Sequence, residues 1–466
     1  MKKSMIALLV CVFIAASAAA SFAAMGEVSA SKNVDMQLFG SNRLIPSYFK
    51  NLVDYNSDTS DAVTLTEGGW GAGFFVRNEL RLGFKGTGEN WGFKVILEDD
   101  IHMTKDNVDR NDYGNADDPF GSEFSVERSN FWYNFGSVKF SAGWDVKFLD
   151  LKTGGLVYGD DHPFIELSGG DKTLNWALTM LLIEDSDDLG DDDYDSDWYA
   201  YNAKLNYVFA TGDDGKFTLS PFVSLSHQGK VAMGGGGSSN AYYYGLEGYG
   251  NIGIIQPQFE IVGVTGDIDN AADYDISSYA LHAGVGFAVS PEFNPYLGFY
   301  YVQGDDDPLD DDLEGFVGIT NIARYTPMFG MDGAILYEHL GFGAPLYGNV
   351  PERSGLGAGD TYGGIGGAGK GSNPGLVYYG IGSKGKINSF SYKVQLAYLE
   401  YAEEDALGLD DDEIGYTFDF QVKYPFSPNF YVTYVFSCLD PGDGLEEYIG
   451  GDDTAIASTL EIGWTW

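Results

Sequence analysis

The residues in this sequence that could do chemistry are mostly carboxylates, and they occur in dense runs such as Asp191 to Asp197. Oxygen-rich runs of this kind can bind hard cations such as calcium and magnesium. An EF-hand loop needs glycine at its sixth position, where this run has Ser196, so we expect only loose binding of such ions at the acidic outer loops. The five histidines show no metal-ligand spacing; they stand at positions 102, 162, 227, 282 and 339. We therefore predict no dedicated metal site and no cofactor.

Catalytic motifs are also missing from the sequence. It contains no Gly-x-Ser-x-Gly turn and no Walker-type loop. It has no Cys-x-x-Cys-His signal for haem attachment either, and its only cysteine after the first 24 residues is Cys438, which we expect to face lipid. The net charge of −43 excludes nucleic acid as a natural partner, because the phosphates would be repelled. We expect a protein that is not an enzyme.

The N-terminus has the features of an export signal. Lys2 and Lys3 precede an apolar stretch from Met5 to Ala20 that ends among small residues. We expect residues 1–24 to be a signal peptide and residues 25–466 to form one domain. After the signal, no stretch of about 18 apolar residues remains that could cross a membrane as a helix.

Alternation of apolar and polar residues runs through the rest of the chain and is clearest at its end. There Leu460, Ile462, Trp464 and Trp466 share one face of a strand, and the residues between them are polar or small. Strands of a membrane barrel alternate in this way over about ten residues, and exposed tryptophans are typical of the bilayer interface. We predict that this strand closes a barrel by pairing with residues 34–48. Its final aromatic residue would be the signal read by the barrel-assembly machinery.

The same pattern predicts about 18 strands, within a range of about 16 to 20. We place them at residues 34–48, 70–86, 90–103, 125–135, 137–148, 160–169, 172–184, 196–209, 216–228, 239–250, 254–266, 275–290, 293–304, 375–385, 387–402, 412–425, 429–441 and 453–466. Short links rich in Gly, Asp, Asn and Pro, such as Gly136 and residues 385–386, alternate with long links that hold most of the acid. The expected fold is all-β: a transmembrane antiparallel up-and-down barrel with short periplasmic turns and long acidic extracellular loops.

One connection, at about residues 305–374, is far too long for an ordinary link. Its middle, residues 316–347, is partly apolar, which predicts a loop folded into the lumen, and its glycine-rich second half would line or cap the mouth. An alternative is that residues 315–325 and 332–340 form one more hairpin.

The segment from Arg81 to Gly86, followed by Trp91 to Glu98, resembles the second and third strands of general bacterial porins. Residues 34–40 and the terminal aromatic residue are similar to that family too, and the acidic loops most resemble porins of deltaproteobacteria. The resemblance implies a homotrimeric, water-filled channel in the cell outer membrane, in contact with lipid and lipopolysaccharide. In that family an acidic segment after the fifth strand usually folds inward. Residues 149–159 are short and lack one, so we expect the long loop to constrict the lumen instead.

The inward-facing charges are the candidate functional residues. We expect them to line the pore, with a basic ladder of Arg77, Arg81 and Lys94 opposed by acid in a transverse field. The full predicted set is Arg77, Glu79, Arg81, Lys94, Glu98 and, from the long loop, Arg324. A second interpretation is that the arginines pair with Glu79 and Glu98 simply to hold the wall.

The tyrosine clusters allow two interpretations as well. Tyr242 to Tyr244, Tyr300 with Tyr301, and Tyr378 with Tyr379 are most simply interface girdle, and a sugar-stacking slide is the alternative.

The expected function is passive diffusion of small hydrophilic solutes and ions, with cations preferred because acid surrounds the mouth. The alternative from another class is a structural sleeve that holds a multihaem cytochrome or an adhesin across the membrane.

Overall fold

The structure is a computed structural model that describes residues 34–51, 73–102, 125–150, 153–184, 197–212, 215–229, 237–270, 274–307, 309–321 and 373–466. Eighteen antiparallel strands form a closed barrel, as the sequence predicts. They are β1 (Asp35–Lys50), β2 (Gly73–Thr87), β3 (Trp91–His102), β4 (Ser125–Phe135), β5 (Val138–Phe148), β6 (Tyr158–Gly170), β7 (Leu174–Glu184), β8 (Trp198–Ala210), β9 (Lys216–Gln228), β10 (Gly237–Gly250), β11 (Ile255–Asn270), β12 (Tyr274–Phe287), β13 (Asn294–Val302), β14 (Leu376–Ile387), β15 (Phe390–Glu400), β16 (Glu413–Ser427), β17 (Phe430–Pro441) and β18 (Ala455–Thr465).

The barrel closes between its first and last strands. β1 pairs with β2 on one side and with β18 on the other, where Ser41 lies opposite Thr465. Gly40 and Trp466 extend this ladder, because the amide of each donates to the carbonyl oxygen of the other at 3.2 and 3.1 Å. Closure leaves no unpaired strand edge, which a β-structure inside a membrane cannot tolerate. The predicted role of the last strand is confirmed.

The two ends of the barrel differ in their connections. At one end, which we call the turn end, strands join through short turns such as residues 136–137, where Gly136 adopts a φ of +69°. One predicted turn is displaced: residues 385–386 belong to β14, and the chain turns at residues 388–389 instead. The acidic links that the structure describes, residues 303–307 with 309–311, 401–412 and 442–454, lie at the opposite end, which we call the long-loop end.

The outer surface is apolar. In β18, Leu460, Ile462, Trp464 and Trp466 face outward, whereas Glu461 faces inward and is almost fully buried. The same alternation exposes large apolar side chains on every side of the barrel, which suits hydrocarbon rather than water as the surrounding solvent. Cys438 faces outward too, since its partners across the ladder are Phe418 and Ile456.

Aromatic rings form contiguous rows near the turn end. Phe209 stacks within 5.5 Å of Phe217, which is 6.5 Å from Phe259. On the far side Tyr424 lies between Phe390 and Phe426, at 4.6 and 4.7 Å. Such rows are typical of the interfacial girdle of a membrane barrel. Within the described ranges, no helix is long and apolar enough to cross a membrane.

Short elements fill the long-loop end. They are the helix α1 (Asp443–Ile449), a 3₁₀ turn (Glu404–Leu407) and two inner pieces of strand, Asp312–Leu313 and Thr320–Asn321. The inner pieces pair in parallel with β12 and with β6. Of the first arm of the alternative hairpin, only Thr320–Asn321 is paired among the described residues, and its partner is β6; residues 322–325 and 332–340 lie outside the described residues.

Candidate functional site

A belt of ion pairs crosses the inner wall from β18 to β6. Arg43 on β1 contacts Glu79 on β2 and Glu461 on β18. Arg81, also on β2, lies 3.3 Å from Glu79 and pairs with Glu98 on β3. Because inward positions on neighbouring strands lie opposite each other, each cation reaches carboxylates on its own strand and on the next.

Further ion pairs extend the belt through β4 to β6. Lys94 on β3 contacts Asp145 on β5 at 2.8 Å, and Arg128 on β4 lies 3.5 Å from the same carboxylate. Lys147 on β5 contacts Glu166 on β6 at 2.8 Å. A bulge in β4, where the register shifts opposite Ile96 and Leu97, adds Glu127 to the belt, 3.6 Å from Arg81.

The cations of the belt are more accessible to solvent than most of the acids that hold them. The side chain of Arg81 is 25% exposed and that of Glu79 only 1%; for Lys94 and Asp145 the values are 27% and 18%. Carboxylates at the wall thus fix the positive groups, and the positive groups border the lumen. A solute passing this wall meets guanidinium and ammonium donors first.

The structure places most of the predicted residues in this belt. Glu79, Arg81, Lys94 and Glu98 face inward and take part in the pairs above, so both earlier interpretations, a charged lining and a paired wall, describe the same groups. Arg77 lies on β2 opposite Ile45 and His102 by backbone register, and its side chain is not described. Arg324 lies outside the described residues.

The link between β5 and β6 folds into the barrel, contrary to the prediction from its length. Leu149, Asp150 and residues 153–157 are buried. Asp150 holds the fold of this link together, because its carboxylate accepts from the amides of Val157 and Tyr158, the latter at 2.9 Å. We call residues 149–157 the inner link.

Residues of the facing wall fasten the inner link in place. Oε2 of Glu260, on β11, accepts from the amides of Gly154 at 2.8 Å and Gly155 at 3.0 Å, and from the hydroxyl of Thr153 at 3.2 Å. The Tyr300 hydroxyl on β13 donates to the Gly154 carbonyl oxygen at 2.6 Å. The inward position thus depends on strands that lie far along the chain from the link itself.

A lysine on β8 also holds the inner link in place. The ammonium group of Lys204 donates to the Leu149 carbonyl oxygen at 2.8 Å and forms an ion pair with Glu247 on β10. Glu247, Glu260 and Asp150 are all fully buried, and both of the others interact with Glu260. The amides of the inner link and the ammonium group of Lys204 offset the cost of burying these three carboxyl groups together.

A second inward segment, residues 313–319, extends the inner link. The amide of Ile319 donates to the carbonyl oxygen of Val157 at 2.8 Å. The Tyr243 hydroxyl on β10 donates to the Val317 carbonyl oxygen at 2.9 Å, and its ring meets Phe316 edge-on at 6.3 Å. The described start of the long connection therefore enters the barrel beside the inner link, and residues 322–347 of the predicted inward stretch lie outside the described residues.

Solved structures with the same fold are found among bacterial outer-membrane proteins. OccAB4 of Acinetobacter baumannii is 11% identical with a TM-score of 0.55, and the match covers 93% of this chain and 99% of that one. A BenF-like porin from Pseudomonas fluorescens Pf-5 is 9% identical with a TM-score of 0.53, over 93% and 98% of the two chains. OpdK of Pseudomonas aeruginosa, solved with vanillate, is 11% identical with a TM-score of 0.51, over 92% and 98%. The chain has the fold of outer-membrane porins. No protein-family model and no curated protein sequence matches it.

The belt and the residues that fasten the inner link occupy different arcs of the barrel wall. The belt runs from β18 to β6, whereas the fastening residues Lys204, Glu247, Glu260 and Tyr300 lie on β8, β10, β11 and β13. The inner link begins on the belt side, because Leu149 follows Lys147 of β5 by two residues. It therefore joins the end of the belt to the strands beyond β6.

Several residues of the belt and of the fastening were not singled out from the sequence. Arg43, Asp145 and Lys147 sit at inward positions of strands whose alternation is plain, so the pattern could have revealed them. Glu260 carries no local signal of its role. Within the described part of the chain, no group of three or more His, Cys, Asp or Glu side chains is arranged to hold a metal ion.

Proposed function

We propose that the protein is an outer-membrane channel for passive diffusion of small hydrophilic solutes and ions. The observation that carries the proposal is the inside-out distribution of side chains: an apolar exterior surrounds a lumen bordered by partly exposed charges. A barrel needs accessible polar groups inside only if water and polar solutes enter it.

We further propose that the channel prefers cations, because acid dominates the long-loop end. The described links 303–307 with 309–319, 401–412 and 442–454 contain Asp and Glu and no Lys or Arg. Charge of one sign at a narrow entrance raises the local concentration of the opposite ion. The belt has similar numbers of positive and negative groups. The acidic links of the long-loop end, rather than the belt, would therefore decide whether cations or anions are preferred.

The two inward segments support a channel rather than a sleeve for another protein. Residues 153–157 and 313–319 are buried inside the barrel and fastened to β8, β10, β11 and β13. A partner such as a multihaem cytochrome would need the space that they take. Co-purification of a cytochrome in a stoichiometric amount would favour the sleeve instead.

Planar-bilayer recording tests the channel itself. We expect stepwise conductance from the purified protein, and a reversal potential in a potassium chloride gradient that shows excess cation permeability. Replacing Asp410, Asp411 and Asp412 together with asparagine should reduce the cation excess, whereas Glu292→Gln at an exposed turn of the opposite end should not. Absence of steps would refute the channel, and anion preference in the native protein would refute the role of the acidic mouth.

The cellular setting completes the proposal. We infer export through the signal at residues 1–24, assembly by the barrel-assembly machinery, and a homotrimer in contact with lipid and lipopolysaccharide. Loose binding of calcium or magnesium at the acidic outer loops and an origin among deltaproteobacterial porins are parts of the same proposal. Chemical cross-linking of the protein in its native membrane tests the trimer.

A further inference from the structure

A buried carboxylate on the inner wall, far from the belt, lacks a counter-ion. Asp419 on β16 is fully buried, and neither of its oxygens has a hydrogen-bonding partner. It forms no ion pair with any residue that the structure describes. An ionised carboxylate closed off from water and left without a partner costs several kcal/mol, so a position of this kind indicates a missing positive group or a proton.

Three polar side chains surround this carboxylate, and they too have atoms without partners. Gln395 on β15 and Ser437 on β17 are the direct ladder neighbours of Asp419, and Thr417 is the next inward residue on its own strand. All three are near enough to interact with the carboxylate, but none meets it at ordinary hydrogen-bonding distance and angle. The amide nitrogen of Gln395 and the hydroxyls of Thr417 and Ser437 are buried with no hydrogen-bonding partner. Several such atoms around one point are rare in folded proteins and indicate an absent ligand or water.

The supporting residues fix the shape of this place. Tyr296 on β13 lies across Gly382 on β14, where any Cβ would collide with its ring, and its hydroxyl donates to Oε1 of Gln395 at 3.1 Å. That bond orients the Gln395 amide beside Asp419. Val435 and Leu439 on β17 are fully buried on the same inner face. The polar group around Asp419 therefore packs against apolar side chains along β17.

We propose that Asp419, Gln395, Thr417 and Ser437 form a binding site for one monovalent cation, either an alkali ion or the ammonium group of an amine. Oxygens of the carboxylate and of the two hydroxyls would supply the ligands, the Gln395 amide nitrogen would hold the carboxylate in place, and the single negative charge matches a single positive one. Divalent ions are less suited, because their protein sites usually gather several carboxylates. The proposed cation site does not depend on the proposed channel function, because cation binding can be measured on the purified barrel in detergent.

Sodium-23 line broadening measures this binding directly. We expect the native barrel to show a saturable excess broadening over that of Asp419→Asn, because the diffuse contribution of the acidic loops is the same in both. Ser437→Ala keeps the charge and should weaken the binding without abolishing it. Glu292→Gln, which removes an exposed carboxylate, should retain the full saturable component.

Competition identifies the source of the positive charge. Displacement of sodium by potassium at lower concentration than by methylammonium would assign an alkali-ion site, and the reverse order would assign an amine site. Identical sodium curves for the native barrel and Asp419→Asn would overturn the proposal. So would an infrared band of a protonated carboxyl group at neutral pH that is present in the native protein and lost in Asp419→Asn, since a proton would then take the place of the cation.

Discussion

Removal of the Glu260 carboxylate is predicted to release the inner link and widen the pore. In Glu260→Ala the amides of Gly154 and Gly155 and the hydroxyl of Thr153 lose their shared acceptor. Leaving a buried donor without a partner costs about 1–3 kcal/mol, so the two amides together destabilise the inward position by about 2–6 kcal/mol. The bond from Tyr300 to the Gly154 carbonyl oxygen and the one from Lys204 to Leu149 remain and oppose release.

A change of this size is large enough to alter the population of the inward state. Every 1.4 kcal/mol is about a tenfold change in an equilibrium constant, so about 3 kcal/mol turns a link that is inward more than 99% of the time into one that samples both positions. We expect a higher mean single-channel conductance in Glu260→Ala, together with new transitions between conductance levels. Glu260→Gln retains one acceptor oxygen and should show a smaller effect.

The control for this experiment is a substitution that affects stability but not the link. Thr459→Ala removes a hydroxyl that donates to Ser47 at 3.0 Å on the other side of the barrel. Its conductance should equal that of the native channel. If Glu260→Ala also keeps the native conductance and shows no new transitions, the inner link is not held by Glu260 and does not limit the pore.

Three further predictions concern the belt, the mouth and the closure of the barrel. Arg81→Gln removes the cation that pairs with Glu98 and one of the two that contact Glu79; we expect a loss of about 1–3 kcal/mol, seen as earlier heat denaturation on gels, and a higher cation permeability measured by reversal potential. Burial, and next the nearby Asp306, raise the pKa of Glu314 to about 7 from its usual 4.5, so this carboxyl gains a proton as the pH falls through about 7. Cation preference should therefore drop over that range and the folded state should be favoured towards pH 4.5, and both changes should shrink in Glu314→Gln. Gly40→Val would push a side chain into the ring of Trp466, so we expect a smaller fraction of folded barrel in refolding assays, and a native yield would contradict the packing role of this glycine.

The strands and their faces could be predicted from the sequence because alternation is a local property. A residue that faces outward forces its neighbours inward, so the pattern at Leu460, Ile462 and Trp464 by itself placed Glu461 inside the barrel. Applied to the tyrosine clusters, the same rule assigns neighbouring tyrosines to opposite faces of their strand. Tyr243, Tyr300 and Tyr378 are buried on the inner side, and only their neighbours, such as Tyr242 and Tyr379, belong to the outer surface.

The partners of the inner charges were beyond such reasoning. Alternation shows that Lys94 faces the lumen, but its carboxylate lies two strands further on, at Asp145, with Asn130 of β4 between them. Pairing of this kind depends on register and on side-chain reach across strands. Neither is visible in a single strand.

The sequence by itself determined that this chain forms a barrel of about 18 strands with acid at one end, because strand period and turn composition are set by neighbouring residues. Only the tertiary structure decided which links fold into the barrel. The short link from Leu149 to Val157 was not predicted to fold inward, yet it does so because Glu260 and Tyr300, distant in sequence, supply an acceptor and a donor at the place where its backbone needs them. The physical reason is that a loop takes the position in which its backbone groups find partners, and those partners are brought together only when the barrel closes.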